Sequence, residues 1–578
     1  MPKQILTVNV EDYFHVWALR GSDAVLRKHW DRLEPRLDKS LDAVLELFAK
    51  YDAKGTFFVF GCIADRQPEL VEKIVSRGHE IASRGYWPRS LSGLGRAEFA
   101  EDLARAKEAL EAAGSNRIVG YRSPAWLSRE HLWMLDVLIE QGYLYDSSIN
   151  PILLRFAREP YRWQLHQHWH PSAAAALWEL ALSTGGPLGV GVAISGGIYI
   201  RQRPHRIVSR AVRHKIEHGM GPVVFYFMPW ELDVEQPHIQ GISTLDRIRH
   251  YRNLSKTRHL IEQYLGRYSF GGIADHFGLP HEPLPEAERP APRVAEVVPI
   301  EEAPAGEAMP VSLVVPVYNE QQNVTYLSRT LRAFRARLAS RYEIHLVIVD
   351  DCSTDDTWNL LSQNFGTLPD CRLVRHTVNK GVAGALMTGI RSAPTEIVCS
   401  IDGDCSYDPS TLAKMIPLIE DAEMVTASPY HPYGSVRNVP GWRLILSKTL
   451  SRLYSVVLAD RVHTFTSCCR VYRKSAMLDL ELSHGGFLGV AEMLIETKRR
   501  GRRVVEVPAT LESRLLGESK MKIARTIGGH LGLLRRLALA RRNGVLIAPP
   551  APERVPLRPI SGGRSQRVRA QGASRDAG

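Results

Sequence analysis

"IHLVIVDDCSTDDT", residues 344–357, begins as an apolar run of strand length and ends in a group of carboxylates. A continuous apolar run is typical of a parallel strand that helices cover on both faces. Ligands of such sheets bind at the carboxyl ends of the strands. Asp350, Asp351 and Asp355 are therefore placed to accept hydrogen bonds from the imide and ribose hydroxyl groups of a nucleoside. The alternative interpretation is that this Asp-rich turn only caps the next helix.

Similar apolar runs recur along the whole chain and predict its fold class. In the second half, "VSLVVPVY" (311–318) and "EIVCSID" (396–402) are each followed by helical periodicity. In the first half, strand patterns separated by helical patterns lie at residues 5–12, 55–61, 79–85 and 222–231. This alternation predicts an α/β protein with a barrel-like arrangement in the first half and a mostly parallel sheet in the second.

Length and composition indicate several domains. A chain of 578 residues is too long for one ordinary core. Around residues 278–310 the composition shifts to Pro, Glu and Ala, which is typical of a linker, and the Pro/Gly/Arg-rich end is typical of disorder. We therefore predict domains at 1–283 and 310–540, a linker at 284–309 and a disordered basic tail at 541–578.

Charge and targeting signals limit the partners and the compartment. The net charge of +12 suits nucleic acid, an anionic membrane or phosphorylated substrates. Because the chain has no recognition-helix or zinc-finger pattern, we predict no nucleic-acid partner. The seven cysteines lack disulfide-framework spacing, and neither a signal peptide nor an apolar run of about 18 residues is visible. These features predict a cytoplasmic protein with, at most, peripheral contact at the inner face of the cell membrane.

Two later segments carry groups suited to diphosphate and phosphate. Asp402 and Asp404 flank a glycine at a strand end, and two such carboxylates can hold one divalent cation that bridges diphosphate oxygens. In "SRLLGESKMK" (513–522), Arg514, Ser519 and Lys520 are donors suited to phosphate. Taken alone, this second segment would be interpreted as a solvated basic loop.

Four motifs occur in order in the second half: "VVPVYNE", "VDDCSTDDT", "NKGVAGALMTGI" and "IDGDCSYDP". Over roughly residues 311–538 the chain thereby resembles glycosyltransferase family 2, which has the GT-A fold. The resemblance implies that Asp402 and Asp404 are catalytic and bind Mg²⁺ or Mn²⁺, and that a nucleotide-diphospho-sugar donates its sugar with inversion. The implied nucleotide-sugar site consists of Pro316, Tyr318, Glu320, Asp350, Asp351, Asp355, Asn379, Lys380 and Gly381.

"SRLLGESKMK" also resembles the R-x-x-G-x-S-K motif of polyprenyl-phosphate sugar transferases, the branch of dolichyl-phosphate mannose synthase. This resemblance implies a catalytic Glu492 and an acceptor-phosphate site made of Arg443, Arg470, Arg514, Ser519 and Lys520. An ionised lipid phosphate mainly needs cations to orient it, whereas a sugar hydroxyl needs a carboxylate base. We therefore predict transfer to polyprenyl phosphate in cell-surface glycan synthesis. Transfer to the hydroxyl of a glycan is the alternative.

The first half contains, in order, "TVNVEDYFHVW", "HEIASRGYWP", "GYRSPAWLS" and "FYFMPWELD". These motifs resemble those of polysaccharide deacetylases of carbohydrate esterase family 4, in its exopolysaccharide-associated subgroup. The resemblance implies a distorted (β/α) barrel, a metal held by one Asp and two His, a carboxylate base and a general-acid His. The residues at that site are here Glu11 (or else Asn9), Asp12, Arg84, Pro88, Arg122, Asp146 and Met228.

Three of these positions depart from the deacetylase pattern and predict loss of the metal. Arg84 and Pro88 replace the metal-binding histidines, and Met228 replaces the general acid. Pro has no ligand atom, Arg is a permanent cation, and Met cannot deliver a proton. We expect no zinc, an inactive glycan-binding or scaffolding domain, and an ion pair between Arg84 and Asp12. The alternatives are a bifunctional enzyme with a working deacetylase, and a metal site rescued by His166, His168 and His170.

Overall fold

The structure is a computed structural model of the 578-residue chain. It describes residues 3–15, 29–89, 93–150, 161–164, 176–185, 192–194, 196–219, 221–240, 242–291, 308–437, 439, 441–458, 462–517 and 523–542. Two large sheets, one in each half of the chain, account for most of the described strands. The predicted α/β fold class is thereby confirmed.

The strands of the first half are β1 (Gln4–Val10), β2 (Thr56–Val59), β3 (Glu80–Ser83), β4 (Gly120–Tyr121), β5 (Tyr145–Asp146), β6 (Tyr161–Gln164), β7 (Ala176–Glu179), β8 (Thr184–Gly185), β9 (Val192–Ala193), β10 (Val224–Phe227) and β11 (Phe270–Gly271). Nine of them form one sheet in the order β10-β1-β2-β3-β4-β5-β7-β6, with β11 beside β1. All pairs in this sheet are parallel except β6 with β7. Within the described residues its end strands do not pair, so the sheet is a half-barrel.

The helices of the first half are α1 (Leu37–Lys50), α2 (Gly61–Arg66), α3 (Pro68–Ser76), α4 (Arg96–Gly114), α5 (Trp133–Glu140), α6 (Gly197–Gln202), α7 (His205–Glu217), α8 (Thr244–Tyr251), α9 (Leu254–Leu265) and α10 (Ile273–Phe277), with 3-10 turns at Arg129–His131, Pro229–Leu232 and Glu286–Glu288. α1 buries Leu37, Leu41, Val44 and Phe48, which lie three or four residues apart and therefore share one face. α3 begins with Pro68, whose fixed φ suits a first helical turn. Such apolar faces cover the sheet and form its core.

The strands of the second half are β12 (Met309–Val317), β13 (Tyr342–Asp350), β14 (Cys371–Arg375), β15 (Ile397–Ser400), β16 (Met424–Ser428), β17 (Ser435–Arg437), β18 (Arg470–Arg473), β19 (Val504–Pro508) and β20 (Thr510–Glu512). Seven of them form a sheet in the order β14-β13-β12-β15-β18-β16-β19, in which β18 is antiparallel to both neighbours and the other pairs are parallel. β17 and β20 form a separate parallel pair.

The helices of the second half are α11 (Val324–Leu338), α12 (Thr357–Phe365), α13 (Gly381–Ser392), α14 (Leu412–Met415), α15 (Gly441–Leu458), α16 (Lys474–Leu478), α17 (Phe487–Arg499) and α18 (Ile523–Arg542), with 3-10 turns at Pro409–Thr411 and Ile416–Asp421. Two apolar clusters pack on this sheet. A Cβ at Gly389 of α13 would lie 2.2 Å from Cγ1 of Val314, so a small residue is needed where this helix approaches β12. No described helix is both long and apolar enough to span a bilayer.

The predicted linker begins as part of the first domain. Asn116 forms a bridge with Pro283, and the amide of Leu284 donates to the carbonyl of Ser115 at 2.8 Å. The chain therefore stays against the first domain beyond the predicted boundary at 283. Residues 292–307 and 543–578, which include most of the predicted linker and tail, lie outside the described residues.

Candidate active site

The carboxyl ends of β12, β13 and β15 form one edge of the second sheet. β12 runs parallel between β13 and β15, and Val317 pairs with Asp350. The loops that leave this edge carry Glu320, Asp351 and Asp402. Parallel pairing therefore brings three of the predicted motifs to one edge, where α/β sheets bind their ligands.

Arg514 joins the carboxylates of two loops at this edge. Its Nη2 lies 2.7 Å from Oδ2 of Asp404, and its Nη1 lies 3.3 Å from Oε1 of Glu320. Asn323 donates to the Glu320 carboxylate. Oδ1 of Asp404 accepts hydrogen bonds from the amide of Ser406 at 2.9 Å and from its hydroxyl at 2.7 Å. The fold thus brings a cation to two carboxylates, although Arg514 and Glu320 are 194 residues apart in the chain.

Burial and mutual repulsion change how readily these carboxylates ionise. Burial, reinforced by the charge of Asp404, raises the pKa of Asp402 to about 7. Burial also raises the pKa of Glu320 to about 7, and the charge of Arg514 opposes this shift. A bound cation relieves both the desolvation and the repulsion, so the site favours one.

Asp402 and Asp404 fit the divalent cation that the family resemblance implies. Within the described part of the chain, no three His, Cys, Asp or Glu side chains are grouped so that they could hold a metal ion by themselves. Mg²⁺, however, usually takes one or two protein carboxylates and completes its shell with waters and substrate phosphates. Two carboxylates at a strand end are such a set of donors, with the other positions left to a diphosphate.

Asp351 organises the loop that begins α13. Its Oδ1 accepts from the amide of Lys380 at 2.8 Å, and its Oδ2 accepts from the amide of Gly381 at 2.7 Å. Nδ1 of His376 lies 2.8 Å from Oδ1. Gly381 has φ 77°, and a Cβ there would lie 2.6 Å from the backbone of Gly485. Asp351 therefore holds a helix start, but that of α13 and not of the helix next in sequence.

Asp355 and Asp350 also shape loops in this structure. Oδ1 of Asp355 accepts from the amide of Thr357, the first residue of α12, at 3.1 Å. Asp350 is fully buried, and Nε of Arg375 lies 3.2 Å from its Oδ2. Asp355 thus binds the start of the next helix and Asp350 pairs with an arginine, and their contact with a nucleotide stays a prediction. Of the other predicted nucleotide-site residues, Pro316 is buried in β12, whereas the exposed ones are Tyr318, Asn379 and Lys380.

Arg470 does not fit the acceptor-phosphate role predicted for it. Its side chain is fully buried, with Nη1 donating to the carbonyl of Val490 at 2.9 Å and Nη2 donating to that of Phe465 at 2.7 Å. It therefore holds backbone segments together. Arg514 is the predicted acceptor residue that the described structure brings to the site. The side chain of Arg443 and the residues Ser519 and Lys520 lie outside the described residues.

Glu492 fixes the loop before α17. Its Oε2 accepts from the amides of Ser483 and His484, both at 3.0 Å, and lies 3.1 Å from Nδ1 of His484. A carboxylate with three such partners is held in one orientation. The catalytic role predicted for Glu492 stays a prediction.

In the first half, Arg84 pairs with Glu11 and not with Asp12. Nη2 of Arg84 lies 3.6 Å from Oε2 of Glu11, and the two side chains are 3% and 1% exposed. Asp12 instead accepts from the amides of Arg36 at 2.8 Å and Leu37 at 3.1 Å, at the start of α1. The predicted ion pair with Asp12 is therefore wrong, because backbone amides already occupy that carboxylate.

Arg122 is a second buried guanidinium beside this pair. Its Nη1 donates to Oγ1 of Thr7 at 2.8 Å and to Oδ1 of Asn9 at 3.1 Å, and its Nη2 donates to Oγ of Ser147 at 2.9 Å. Burial, followed by the charge of Arg84, lowers the pKa of Arg122 to about 9. Two arginines at the carboxyl edge of β3 and β4 would repel a divalent metal.

The residues present do not fit the zinc ion of polysaccharide deacetylases. Pro88 is buried and offers no ligand atom, and Met228 packs on an apolar cluster. Asp146 is buried and accepts from the amide of Ser148 at 3.0 Å. The three histidines considered for a rescued site, His166, His168 and His170, lie outside the described residues.

Sequence reasoning did not single out His376 and Asn323, which support the site. His376 directly follows β14, the parallel neighbour of β13, and the side-chain oxygen of Thr388 lies 3.0 Å from its Nε2. Asn323 immediately precedes α11 and contacts Glu320. Both could have been found by asking which polar residues follow each strand end or precede each helix, rather than by motif.

Models of known protein families match the two halves of the chain separately. The family model of glycosyl transferase family 2 matches residues 312–480. The model of polysaccharide deacetylases matches residues 30–137, and that of a domain of unknown function, DUF3473, matches residues 147–278.

Three curated relatives match the second half. Polyprenol monophosphomannose synthase of Mycolicibacterium smegmatis is 31% identical over 218 residues, covering 36% of this chain and 80% of the relative. Dolichol-phosphate mannosyltransferase of Pyrococcus furiosus is 32% identical over 236 residues, covering 40% of this chain and 64% of the relative. Undecaprenyl-phosphate mannosyltransferase of Micrococcus luteus is 29% identical over 230 residues, covering 39% of this chain and 90% of the relative. The chain thus spans 64% of the Pyrococcus relative, which is less than two thirds of its length, and 80% and 90% of the other two.

Solved structures are similar to each half separately. A candidate polysaccharide deacetylase from Mycobacterium smegmatis is 21% identical, with a TM-score of 0.33, and covers 51% of this chain and 94% of its own. Glucosyl-3-phosphoglycerate synthase from Mycobacterium tuberculosis, solved with Mn²⁺ and UDP, is 19% identical, with a TM-score of 0.31. The match covers 42% of this chain and 81% of that protein.

Proposed function

The chain belongs to glycosyltransferase family 2, and on this premise we propose that it transfers a sugar from a nucleotide-diphospho-sugar to polyprenyl phosphate, with inversion, in cell-surface glycan synthesis. The observation that carries the proposal is the group of carboxylates and one arginine at the carboxyl edge of the second sheet. The names of the three relatives, which refer to dolichol phosphate, polyprenol monophosphomannose and undecaprenyl phosphate, support this class of acceptor.

On the donor side, Asp402 and Asp404 would hold Mg²⁺ or Mn²⁺ together with the diphosphate. The metal, when bound, neutralises the charge of the departing nucleoside diphosphate. Arg514 pairs with Asp404 in this structure and, in the acceptor complex, would turn its guanidinium toward the lipid phosphate, which its planar donors suit. Asp351 and its partner His376 would keep the backbone at the start of α13 in position beside the donor.

On the acceptor side, a lipid phosphate needs orientation and no base. Its oxygen is ionised near neutral pH, so cations such as Arg514 suffice to bring it to the sugar carbon. Glu492, the carboxylate that would be the candidate base, instead holds the loop before α17 by accepting from the amides of Ser483 and His484. Transfer to a glycan hydroxyl would require such a base.

Peripheral contact with an anionic membrane is supported by a face of the helix pair α15 and α18, which we call the apolar-basic face. The pair is joined by Tyr454, whose hydroxyl lies 2.9 Å from Nδ1 of His530. Both apolar and basic side chains are exposed on these helices, as on helices that lie in a membrane interface. They are Ile445, Leu446, Lys448, Arg452, Leu453 and Val456 of α15 and Ile527, Leu531, Arg535 and Leu539 of α18.

We further propose that the first half hydrolyses no acetyl group and needs no zinc. The buried arginines Arg84 and Arg122 support this, because both lie at the edge where a deacetylase holds its metal. Acetate release from N-acetylated oligosaccharides with added zinc or cobalt, lost in Asp12→Ala, would contradict this proposal and favour a bifunctional enzyme.

The transferase proposal is tested with a panel of GDP-mannose, UDP-glucose and UDP-galacturonate, each offered with undecaprenyl phosphate or with soluble glycans. We expect one donor to label the lipid, and we expect chelation or Asp404→Ala to abolish the labelling. No turnover of any donor, or turnover that neither change affects, would overturn the proposal. Labelling of glycans alone would replace the lipid acceptor by a hydroxyl acceptor.

A further inference from the structure

The first domain contacts the second at the candidate active site, and we propose that it is a positioning module that holds the segment of Arg514 and the loop of Asp404 in their working arrangement. This inference rests on the function proposed above. Three segments of the second domain make the contact, and they are the ones that carry Arg514, Asp404 and Glu320.

The segment of Arg514, residues 512–517, is held on both sides of the arginine. On its C-terminal side, the amide of Gln240 donates to the carbonyl of Leu515 at 2.6 Å, and Ile239 forms an antiparallel bridge with Leu516. Ile239 and Leu516 are 1% and 2% exposed. A strand-like contact of this kind fixes the backbone that aims Arg514.

On its N-terminal side, the same segment meets His29 of the first domain. Nε2 of His29 lies 3.3 Å from Oε2 of Glu512, and its Nδ1 lies 2.8 Å from the hydroxyl of Tyr326 in α11. α11 also donates from Nη1 of Arg329 to the carbonyl of Leu33 at 3.0 Å. His29 thereby ties the Arg514 segment to the helix that follows Glu320.

The loop of Asp404 is held by an ion pair across the domain boundary. Nη1 of Arg32 donates to Oδ2 of Asp408 at 2.9 Å, with the side chains 15% and 26% exposed. Asp408 also accepts from the amide of Ser410 at 2.9 Å. Because Asp408 is four residues from Asp404, this pair limits the movement of the metal-binding loop.

An apolar cluster shared by the two domains covers the carboxyl edge of β1 and β10. A deacetylase uses this edge for its substrate, and Met228, which stands where that enzyme has its general acid, packs against the cluster. The edge has thus become a surface on which the second domain rests. The buried members of the cluster are Tyr13, Phe14, Trp30, Leu33, Trp230, Ile239, Leu254, Tyr326 and Leu516.

The positioning of the Arg514 segment is tested with two variants of Gln240. Gln240→Pro removes the amide that donates to the carbonyl of Leu515, and Gln240→Ala keeps it. In the full chain we expect Gln240→Pro to raise the KM for undecaprenyl phosphate about three- to tenfold, the effect of one lost hydrogen bond, with little change in the KM of the donor. Gln240→Ala should match the parent protein. The positioning role would be overturned if the two variants had equal kinetics. It would also be overturned if Gln240→Pro lowered only kcat, in proportion to the loss of folded protein.

The positioning of the Asp404 loop is tested with Arg32→Ala and Arg32→Lys. Their Mn²⁺ affinity is measured by titration calorimetry and by the Mn²⁺ concentration that gives half-maximal turnover. We expect Arg32→Ala to weaken Mn²⁺ binding in the presence of UDP about three- to tenfold, and Arg32→Lys to restore most of it. Unchanged Mn²⁺ affinity in Arg32→Ala would overturn this part of the inference.

Failure of the inference and failure of the proposed function give different results. If the parent protein transfers no sugar, the proposed function fails, while the calorimetric comparison of the Arg32 variants still tests the positioning. If the parent protein is active and neither Gln240→Pro nor Arg32→Ala differs from its control, the positioning role alone is wrong.

Discussion

Each half of the chain places an arginine against carboxylates at the carboxyl edge of a mostly parallel sheet. The two arginines differ in exposure to solvent, which only the second one has to a sizeable degree. Arg84 directly follows β3, is 3% exposed beside Glu11, and has its guanidinium carbon 4.9 Å from the ring centroid of Phe60. Arg514 lies on a loop, is 21% exposed, and contacts Asp404 and Glu320. The first arginine is a permanent part of the core, whereas the second occupies a place that a metal could take.

The surroundings of a charge pair decide its role more than its residue types do. Removing one partner of a buried pair leaves an uncompensated charge that water cannot reach, so the pair must stay together. A partly exposed arginine can exchange a carboxylate for a phosphate at little cost, because both are anions that suit its donors. The exposure of the arginine therefore decides whether a pair is structural or can exchange its carboxylate for a ligand.

The largest effect is expected for Arg84→Ala. It leaves Glu11 buried without its cation, which should lower the free energy of unfolding by about 3 to 5 kcal/mol. The double variant Arg84→Met with Glu11→Gln should recover much of this loss, since it removes both charges and keeps the volume. Urea denaturation followed by circular dichroism gives both values, and a stable, unchanged Arg84→Ala would mean that the two arginine sites do not differ as described.

The next effect concerns Asp404→Asn in the second half. Loss of one carboxylate from a predicted metal site should reduce turnover about 100-fold or more, at a cost in stability of about 1 kcal/mol or less. The exposed Asp421→Asn is the matched control and should leave turnover unchanged. Initial rates over a series of Mn²⁺ concentrations measure the effect, and equal rates for the two variants would remove Asp404 from the mechanism.

A smaller effect is expected for Arg514→Ala. Because this arginine is partly exposed, its removal should cost about 1 kcal/mol of stability or less. The KM for undecaprenyl phosphate should rise about tenfold, and Arg514→Lys should restore part of the affinity, since Lys keeps the charge without the planar donors. A loss of stability as large as that of Arg84→Ala would show that Arg514 is structural too.

The smallest effect is that of acid on the buried histidines, which both halves share. Burial lowers the pKa of His79 to about 4 and, with the charge of His484, lowers the pKa of His530 to about 4. Below the unfolded value of 6.5 each unfolded histidine binds a proton that the folded one does not, so the contribution of each histidine to stability falls as the pH drops from 6.5 toward 4. Each histidine should cost about 1 kcal/mol between pH 7 and 5.5.

Gln replacements measure these acid contributions separately. His530→Gln and His79→Gln should each make the protein about 1 kcal/mol more stable at pH 5.5 relative to pH 7 than the parent protein is, as thermal melts between pH 5.5 and 7.5 would record. If neither replacement changes this difference, the two histidines do not titrate in the folded protein as described.

Much of the site was predictable because it lies at strand ends. The rule that parallel sheets bind ligands at their carboxyl edges predicts Asp351, Asp402 and Asp404 at one edge of the sheet. The partner of Arg84 and the role of Arg470 were not predictable. Both depend on which backbone groups a buried guanidinium can reach, and a sequence motif carries no information on that.

The sequence by itself determined the two α/β halves, the order of their motifs and the replacement of the deacetylase histidines, because these follow from local periodicity and from residue identity. Only the tertiary structure decided that Arg514 meets Asp404, that Arg84 meets Glu11, and that the first domain rests on the segment of Arg514 through Gln240. Such contacts join residues far apart in the chain. Their energies depend on distance and burial, which exist only once the chain has folded.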